Sequence, residues 1–362
     1  MSLNTCSATA TALLDSNPAP LRGAPFSYPH CVFHLKAPES KRVVMTGDRP
    51  TGALHLGHYV GSIQKRLELQ KTHPVLILIA DTQVLNNDVS KGQCVKANTL
   101  SIMRDYLNCG LSPQSCIFVR QSSVSQLFEL TNYLSNLVSL SQVMRNPTIR
   151  QESKMYNHEL NMGFLNYPIS QASDILLFNS ALVPVGVDQL PILEFTNDLA
   201  HKFNQHFETN TLQKISPIIS DTPRLIGIDG KHKMSKSLGN AILLSDSLSE
   251  VRQKINKMYT DSNHLRVSDP GKIEGNTVFA FLDVFLTDKA LLQNLKNQYT
   301  RGGLGDMYLK NLLYTEIEKL LCTLQNNSYT DDDLMDILNS GTRIAQECAA
   351  HNMELIKSKI FR

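Results

Sequence analysis

The chain has 362 residues and a formal net charge of +2. That length allows two domains or one large one, and the mild charge means that nucleic-acid contact must rest on a local patch. The longest apolar run, VLILIA at 75–80, has the dimensions of a strand and excludes a membrane span of ordinary length. Seven cysteines without a CxxC pair point to a reducing cytosol and no structural metal.

Residues 1–41 hold five prolines and many Ser, Thr and Ala, with no core-forming pattern. They read as a disordered extension: a tail, a transit peptide or an over-extended start, with Met45 nearer the true beginning. Its removal is expected to leave thermal stability and activity close to those of the intact chain.

From residue 42 the pattern is α/β. RVVM at 42–45 is a short buried strand, and residues 57–71 carry apolar side chains at helical spacing. VLILIAD is a second, central strand and 90–109 a helix; CIFVR at 116–120 is a third strand, followed by a helix over 123–141. Pro168 opens a further helix, LVPVG at 182–186 is a fourth strand, and 188–207 is helical. The alternation predicts a Rossmann-type doubly wound parallel sheet. Beyond about 245 only helical segments follow. The expected division is an extension at 1–41, a catalytic domain at 42–240 and an α-helical domain at 241–362.

GDRPTGALHLGHYVG, residues 47–61, occupies the turn leaving the first strand, where open parallel sheets bind ligands. Its glycines permit close approach, the following helix offers free N–H groups to an anion, and His55 and His58 can donate to phosphate oxygens as neutral rings or, better, as cations. Alone, the stretch is equally a glycine-rich turn with two surface histidines. A second stretch, DGKHKMSKSLGN at 229–240, crowds Lys231, Lys233 and Lys236 with two serine hydroxyls into a glycine-bounded loop. Such a loop can neutralise charge on a departing pyrophosphate, or be a solvated basic turn.

Together, HLGH and KMSKS resemble, in order and separation, the two signatures of the class I aminoacyl-tRNA synthetases, with one Ile-to-Leu change in the first. The resemblance runs from about residue 42 to the end. It implies a Rossmann enzyme that forms an aminoacyl-adenylate from ATP and an amino acid and then charges tRNA. YPISQASD and VPVGVDQ are shared by the tryptophanyl and tyrosyl members. Asp174 can accept from an indole N–H or a phenol O–H, so it does not discriminate alone. Tyrosyl members carry a tyrosine where this chain has Met45, whose apolar side chain suits an indole. RPTGALHLGHYVGS, ADTQVL, DPGKIEGN and RGGLGD also look tryptophanyl, of the bacterial type. Gln83 and Gln171 depart from the histidine and methionine frequent there.

The resemblance implies roles residue by residue. Lys233, Lys236, His55 and His58 are the expected catalytic groups. Arg49, Pro50, Thr51, Gly57, His58, Gly186, Val187, Asp188, Leu225, Lys233, Met234, Ser235, Lys236 and Ser237 form the expected ATP site. Met45, Tyr167, Gln171, Asp174, Val183 and Val185 form the tryptophan pocket. No protein ligand set for a metal is expected; Mg2+ accompanies ATP as substrate. The implied partners are L-tryptophan, ATP and tRNA(Trp), in a cytoplasmic homodimer whose helical domain binds the anticodon. A tyrosyl enzyme, a nucleotidyl-transferring relative that does not charge tRNA, and a tRNA-binding regulator remain the alternatives.

Overall fold

The structure, a computed structural model, describes residues 26–35, 43–86, 88–154, 160–219, 225–236, 238–324 and 329–362. In chain order, β1 (Val43–Asp48) leads through the HLGH turn into α1 (Leu56–His58), a π-helical turn and α2 (Gln64–Leu69). Then come β2 (Val75–Ile79), α3 (Val95–Asn108), β3 (Cys116–Arg120), α4 (Ser125–Ser135), α5 (Leu140–Arg145), α6 (Pro147–Ser153) and α7 (Met162–Leu176). β4 (Ser180–Val185), α8 (Leu190–His206) and β5 (Ser216–Ile219) complete the sheet. The rest is helical: α9 (Leu248–Asn256), α10 (Thr277–Phe285), α11 (Lys289–Arg301), α12 (Asp306–Leu324) and α13 (Asp331–Ile360).

All strand pairs are parallel, in the order β3-β2-β1-β4-β5. β2 is buried along its whole length, as its unbroken apolar sequence requires of a strand covered on both faces. Two of the sequence expectations change. Pro168 lies inside α7, whose start is fixed earlier by the Asn161 side chain accepting from the Phe164 N–H at 2.8 Å. β5 escapes a reading of apolar runs because it is four residues long, contains Pro217 and sits exposed at the sheet edge.

Side-chain alternation divides the core between the two faces of the sheet. On one face Val44, Val75 and Ile77 join Phe281, Leu282, Leu313 and Ile317, so this cluster contains residues from both sides of position 240. On the other, Met45, Leu76 and Leu78 pack with residues of α4, α7 and α8. α13 enters both: Leu334 and Leu338 belong to the first cluster, Ala349 and Met353 to the second. It runs beside the free edge of β3, where the Arg120 N–H donates to Thr342 Oγ1 at 3.0 Å. A Cβ on Gly341 would lie 2.4 Å from the Phe118 carbonyl oxygen, so only glycine admits this approach.

The expectation of disorder over 1–41 is corrected for residues 26–35; most of that segment lies outside the described residues. His30–Phe33 form a 3-10 turn in which Val32 and Phe33 are fully buried. Asn352 of α13, itself wholly buried, accepts from the Leu35 N–H at 3.0 Å and donates to the carbonyls of Phe33 at 2.8 Å and Leu177 at 2.7 Å. Deleting 1–41 would strip these groups of their partners, so it is no longer expected to leave stability unchanged.

Candidate active site

The strand order reverses direction at β1, which lies between β2 and β4. Ligands bind at such a switch point, beyond the carboxyl ends of the strands. A cleft of about 520 Å³ opens there, lined by Met45, Arg49, Thr51, His58, Gln171, Asp174, Val183, Val185 and Gly186 among the residues expected from sequence. Asp48, Ser62, Arg66, Gln83 and Gln189 also line it.

At the HLGH end, the two histidines are tied into the turn. The His55 N–H donates to His58 Nδ1 at 3.1 Å, and the rings lie 3.7 Å apart between centroids. A ring nitrogen that accepts leaves the other, Nε2, to carry the proton. Burial lowers both histidines, to about 3 for His55 and about 4 for His58. The His55–His58 repulsion and Lys236 add to this for His55. Asp48 opposes it at His58 without restoring the ordinary value. The imidazolium reading is therefore corrected: at neutral pH these are neutral donors. Gly57 is held close, since a Cβ there would sit 3.0 Å from the His55 ring and 3.6 Å from Met234 Sδ.

Below the turn lies a charged group that sequence reading missed. Arg66 of α2, 2% exposed, pairs with Asp48 at the end of β1 at 2.7 Å and donates to the Tyr106 hydroxyl at 3.0 Å; Tyr106 in turn donates to Asp48. Burial alone would raise the Asp48 carboxyl, but Arg66 overrides it and holds Asp48 below the usual carboxylate range. The available signal was an arginine three positions after the buried Ile63, on the inward side of an amphipathic helix.

At the other end, Asp174 is 3% exposed on α7. Gln83 Nε2 donates to its Oδ2 at 3.0 Å, and Gln121 Nε2 lies 3.0 Å from Oδ1 and 2.8 Å from Oδ2. Burial pushes this carboxyl up to about 7; Gln121 pulls it down and the charge of Asp81 pushes it up again. Gln121 was not singled out from sequence, although it follows β3 directly and so stands at a strand's carboxyl end. Tyr167 is buried and donates to Glu152 at 2.8 Å, with the Arg49 guanidinium 5.6 Å above its ring. It lines a smaller neighbouring cavity rather than the main cleft.

The lysine loop is a compact turn built on Asn240, which is 4% exposed. Asn240 accepts from the Ser235 N–H at 2.8 Å and donates to Asp229 at 3.1 Å and the Lys233 carbonyl at 3.3 Å. Lys236 reaches the first turn, donating to the Thr51 carbonyl at 3.1 Å. Lys233 is exposed, while Met234 and Leu225 are buried. Pro50 is buried beside Thr51, whereas Val187 and Asp188 are exposed beyond Gly186. Ser237 lies outside the described residues.

Residues 37–322 match the family described as tRNA synthetases class I (W and Y). The chain is 42% identical over 331 residues to the tryptophan–tRNA ligase of Streptococcus mutans, covering 88% of this chain and 97% of that one. It is 40% identical over 331 residues to the enzyme of the same name from Clostridium longisporum, covering 89% and 97%. In structure it is similar to Campylobacter jejuni tryptophanyl-tRNA synthetase complexed with ADP and tryptophan, at TM-score 0.76 and 28% identity over 88% of this chain and 99% of that one. The tryptophanyl-tRNA synthetase of Mycoplasma pneumoniae is also similar, at TM-score 0.72 and 26% identity over 88% and 97%. Two signature loops meeting at one switch point, and relatives of the same kind along nearly the whole chain, place it in the class I tRNA synthetases of the tryptophan and tyrosine group, within the tryptophanyl-tRNA synthetase family.

Proposed function

We infer that the chain is a tryptophan–tRNA ligase. It activates L-tryptophan with ATP to tryptophanyl-adenylate and pyrophosphate, and then transfers the tryptophanyl group to tRNA(Trp). The observation that carries the reading is one cleft with the buried Asp174 carboxyl among apolar side chains at one end and, at the other, the neutral His58 ring and Thr51, whose carbonyl accepts from Lys236. The indole lies among Met45, Val183 and Val185 with its N–H aimed at Asp174, whose oxygens Gln83 and Gln121 hold in place. The substrate carboxylate is itself the nucleophile on the α-phosphate, so the protein positions and stabilises and supplies no nucleophile. His55, His58, Arg49 and Thr51 bind the nucleotide, and Gly186, Val187 and Asp188 lie on its ribose side. Leu225 supports the loop's base from the core. Met234 and Ser235 shape the loop, Ser237 belongs to the ATP site as the resemblance implies, and Lys233 and Lys236 neutralise charge as pyrophosphate departs.

Magnesium enters with ATP as part of that substrate. Among the described residues no group of three or more His, Cys, Asp or Glu could hold a metal ion, and no helix is long and apolar enough to cross a membrane. A cytoplasmic homodimer, with residues 241–362 reading the anticodon, completes the proposal. ATP–pyrophosphate exchange with each amino acid tests it. Tryptophan should support exchange at least ~10³-fold better than phenylalanine, which has no N–H to donate to the buried Asp174 and forfeits that bond. Equal or faster exchange with tyrosine would identify a tyrosyl enzyme instead.

A further inference from the structure

The seat that Lys236 occupies is built from the first turn and from α3. Its Nζ, bonded to the Thr51 carbonyl, lies 3.0 Å from the position a Cβ on Gly52 would take. Gly52 has φ +113°, so its residue type is fixed and the seat is bare backbone. Asn98 and Asp105 stand seven residues apart on α3, on one face and two turns from each other. Asn98 Oδ1 lies 3.6 Å from the same Gly52 position. Asp105, 5% exposed, accepts from the Leu54 N–H at 2.6 Å, just downstream in the turn.

We propose that Asp105 is a positioning residue for the lysine loop: its buried carboxylate fixes the turn through Leu54 and draws Lys236 onto the Thr51–Gly52 backbone before ATP arrives. The inference rests on the reading of Lys236 as a group that serves the phosphates. A buried carboxylate without cationic support is costly. Burial pushes Asp105 up to about 6, while the Leu54 N–H, Lys236 and Arg104 draw it down; Cys109 also feels its charge. Lys236, lowered by its own burial, is raised by Asp105 in return. ATP phosphates then compete with Asp105 for the same ammonium group, and the carboxylate pulls the loop back when pyrophosphate leaves.

Hydrogen exchange of amides 229–236 in the full chain without ATP provides the test. At pH 7.5, Asp105→Asn keeps an acceptor for Leu54 and removes the charge; it should speed exchange in this segment roughly three- to tenfold. Lys236→Met should do the same, and the double variant should be no faster than either, because one attraction is removed twice. In the unaltered chain, exchange corrected for its intrinsic pH dependence should accelerate as pH falls through about 6. Lys236→Met should lose that acceleration, which keeps the test open if Asp105→Asn does not fold. Unchanged exchange in Asp105→Asn, additive effects, or acceleration spread equally through β1 and α3 would overturn the proposal. Pyrophosphate exchange measured on the same variants separates the two readings. Full activity in Lys236→Met with altered loop protection removes the catalytic role of Lys236, whereas impaired activity with unaltered protection removes only the role of Asp105.

Discussion

In the proposed reading, Asp174 is a single buried residue that couples specificity to protonation. Its carboxyl sits near 7 because burial outweighs the amide donors of Gln121. An indole N–H is a further donor and favours the ionised form, so binding tryptophan should lower this value and release a proton. Tryptophan affinity should therefore rise as pH increases from about 6 to about 8 and level off above that. Calorimetric titration in two buffers of different ionisation enthalpy checks it: at pH 7, where the free carboxyl is about half protonated, the apparent enthalpies should differ by up to about half a proton's worth. Affinity that falls with pH across this range would show that the neutral acid is the binding form. The same shift sets a stability trend. A carboxyl raised in the fold binds more protons than in the unfolded chain, so this group's contribution declines as pH rises from about 4 to about 7. At this scale Asp174 and the histidines could be singled out from the sequence, because the stretches that carry them have recognisable spacing. It did not reveal Gln121, Asp48 or Arg66, whose importance comes from meeting partners across the sheet.

Elements were legible where one physical signal dominated. β2 is unbroken apolar and buried, and its partners β1 and β3 follow the same logic. α7 was misplaced at its start because proline favours a first helical turn, yet here the Asn161 cap sets the boundary and Pro168 is accommodated within. The segment 30–35 was unreadable for another reason. Its few apolar residues show no period, and their order depends on Asn352, more than three hundred positions away. Asn352→Leu should thus destabilise the protein by about 2–4 kcal/mol, since it leaves one buried N–H and two carbonyls without partners. Phe33→Ala should cost a similar amount through the cavity it opens. Urea unfolding followed by circular dichroism measures both, and losses under 0.5 kcal/mol would show that the segment is not held to α13.

At the scale of the molecule, the catalytic sheet and the C-terminal helices share apolar clusters, and α13 belongs to both. Composition and periodicity indicated the change from alternating to helical structure, but pairing of a distant helix with a sheet edge has no local signature. Gly341→Val brings two further carbons into a site where even a Cβ meets the Phe118 carbonyl at 2.4 Å. It should therefore cost at least about 3 kcal/mol and loosen both clusters together. One cooperative transition at a lower midpoint is expected in calorimetry; two separated transitions would mean that sheet and helices unfold independently. The absence of tryptophan helps such work, because indole fluorescence in any complex with the amino acid arises from the ligand alone.

The cover over β3 also has a consequence for biosynthesis. The strand leaves the ribosome with residues 116–120, while the helix that shields its open edge spans 331–360. More than two hundred residues of translation separate the two, at 5–20 residues per second on the order of ten seconds or more. Throughout that interval the nascent chain presents unpaired backbone of the kind that recruits other strands. Synthesis of this protein thus has a built-in period of vulnerability to misassociation, and it ends only when α13 is free to dock.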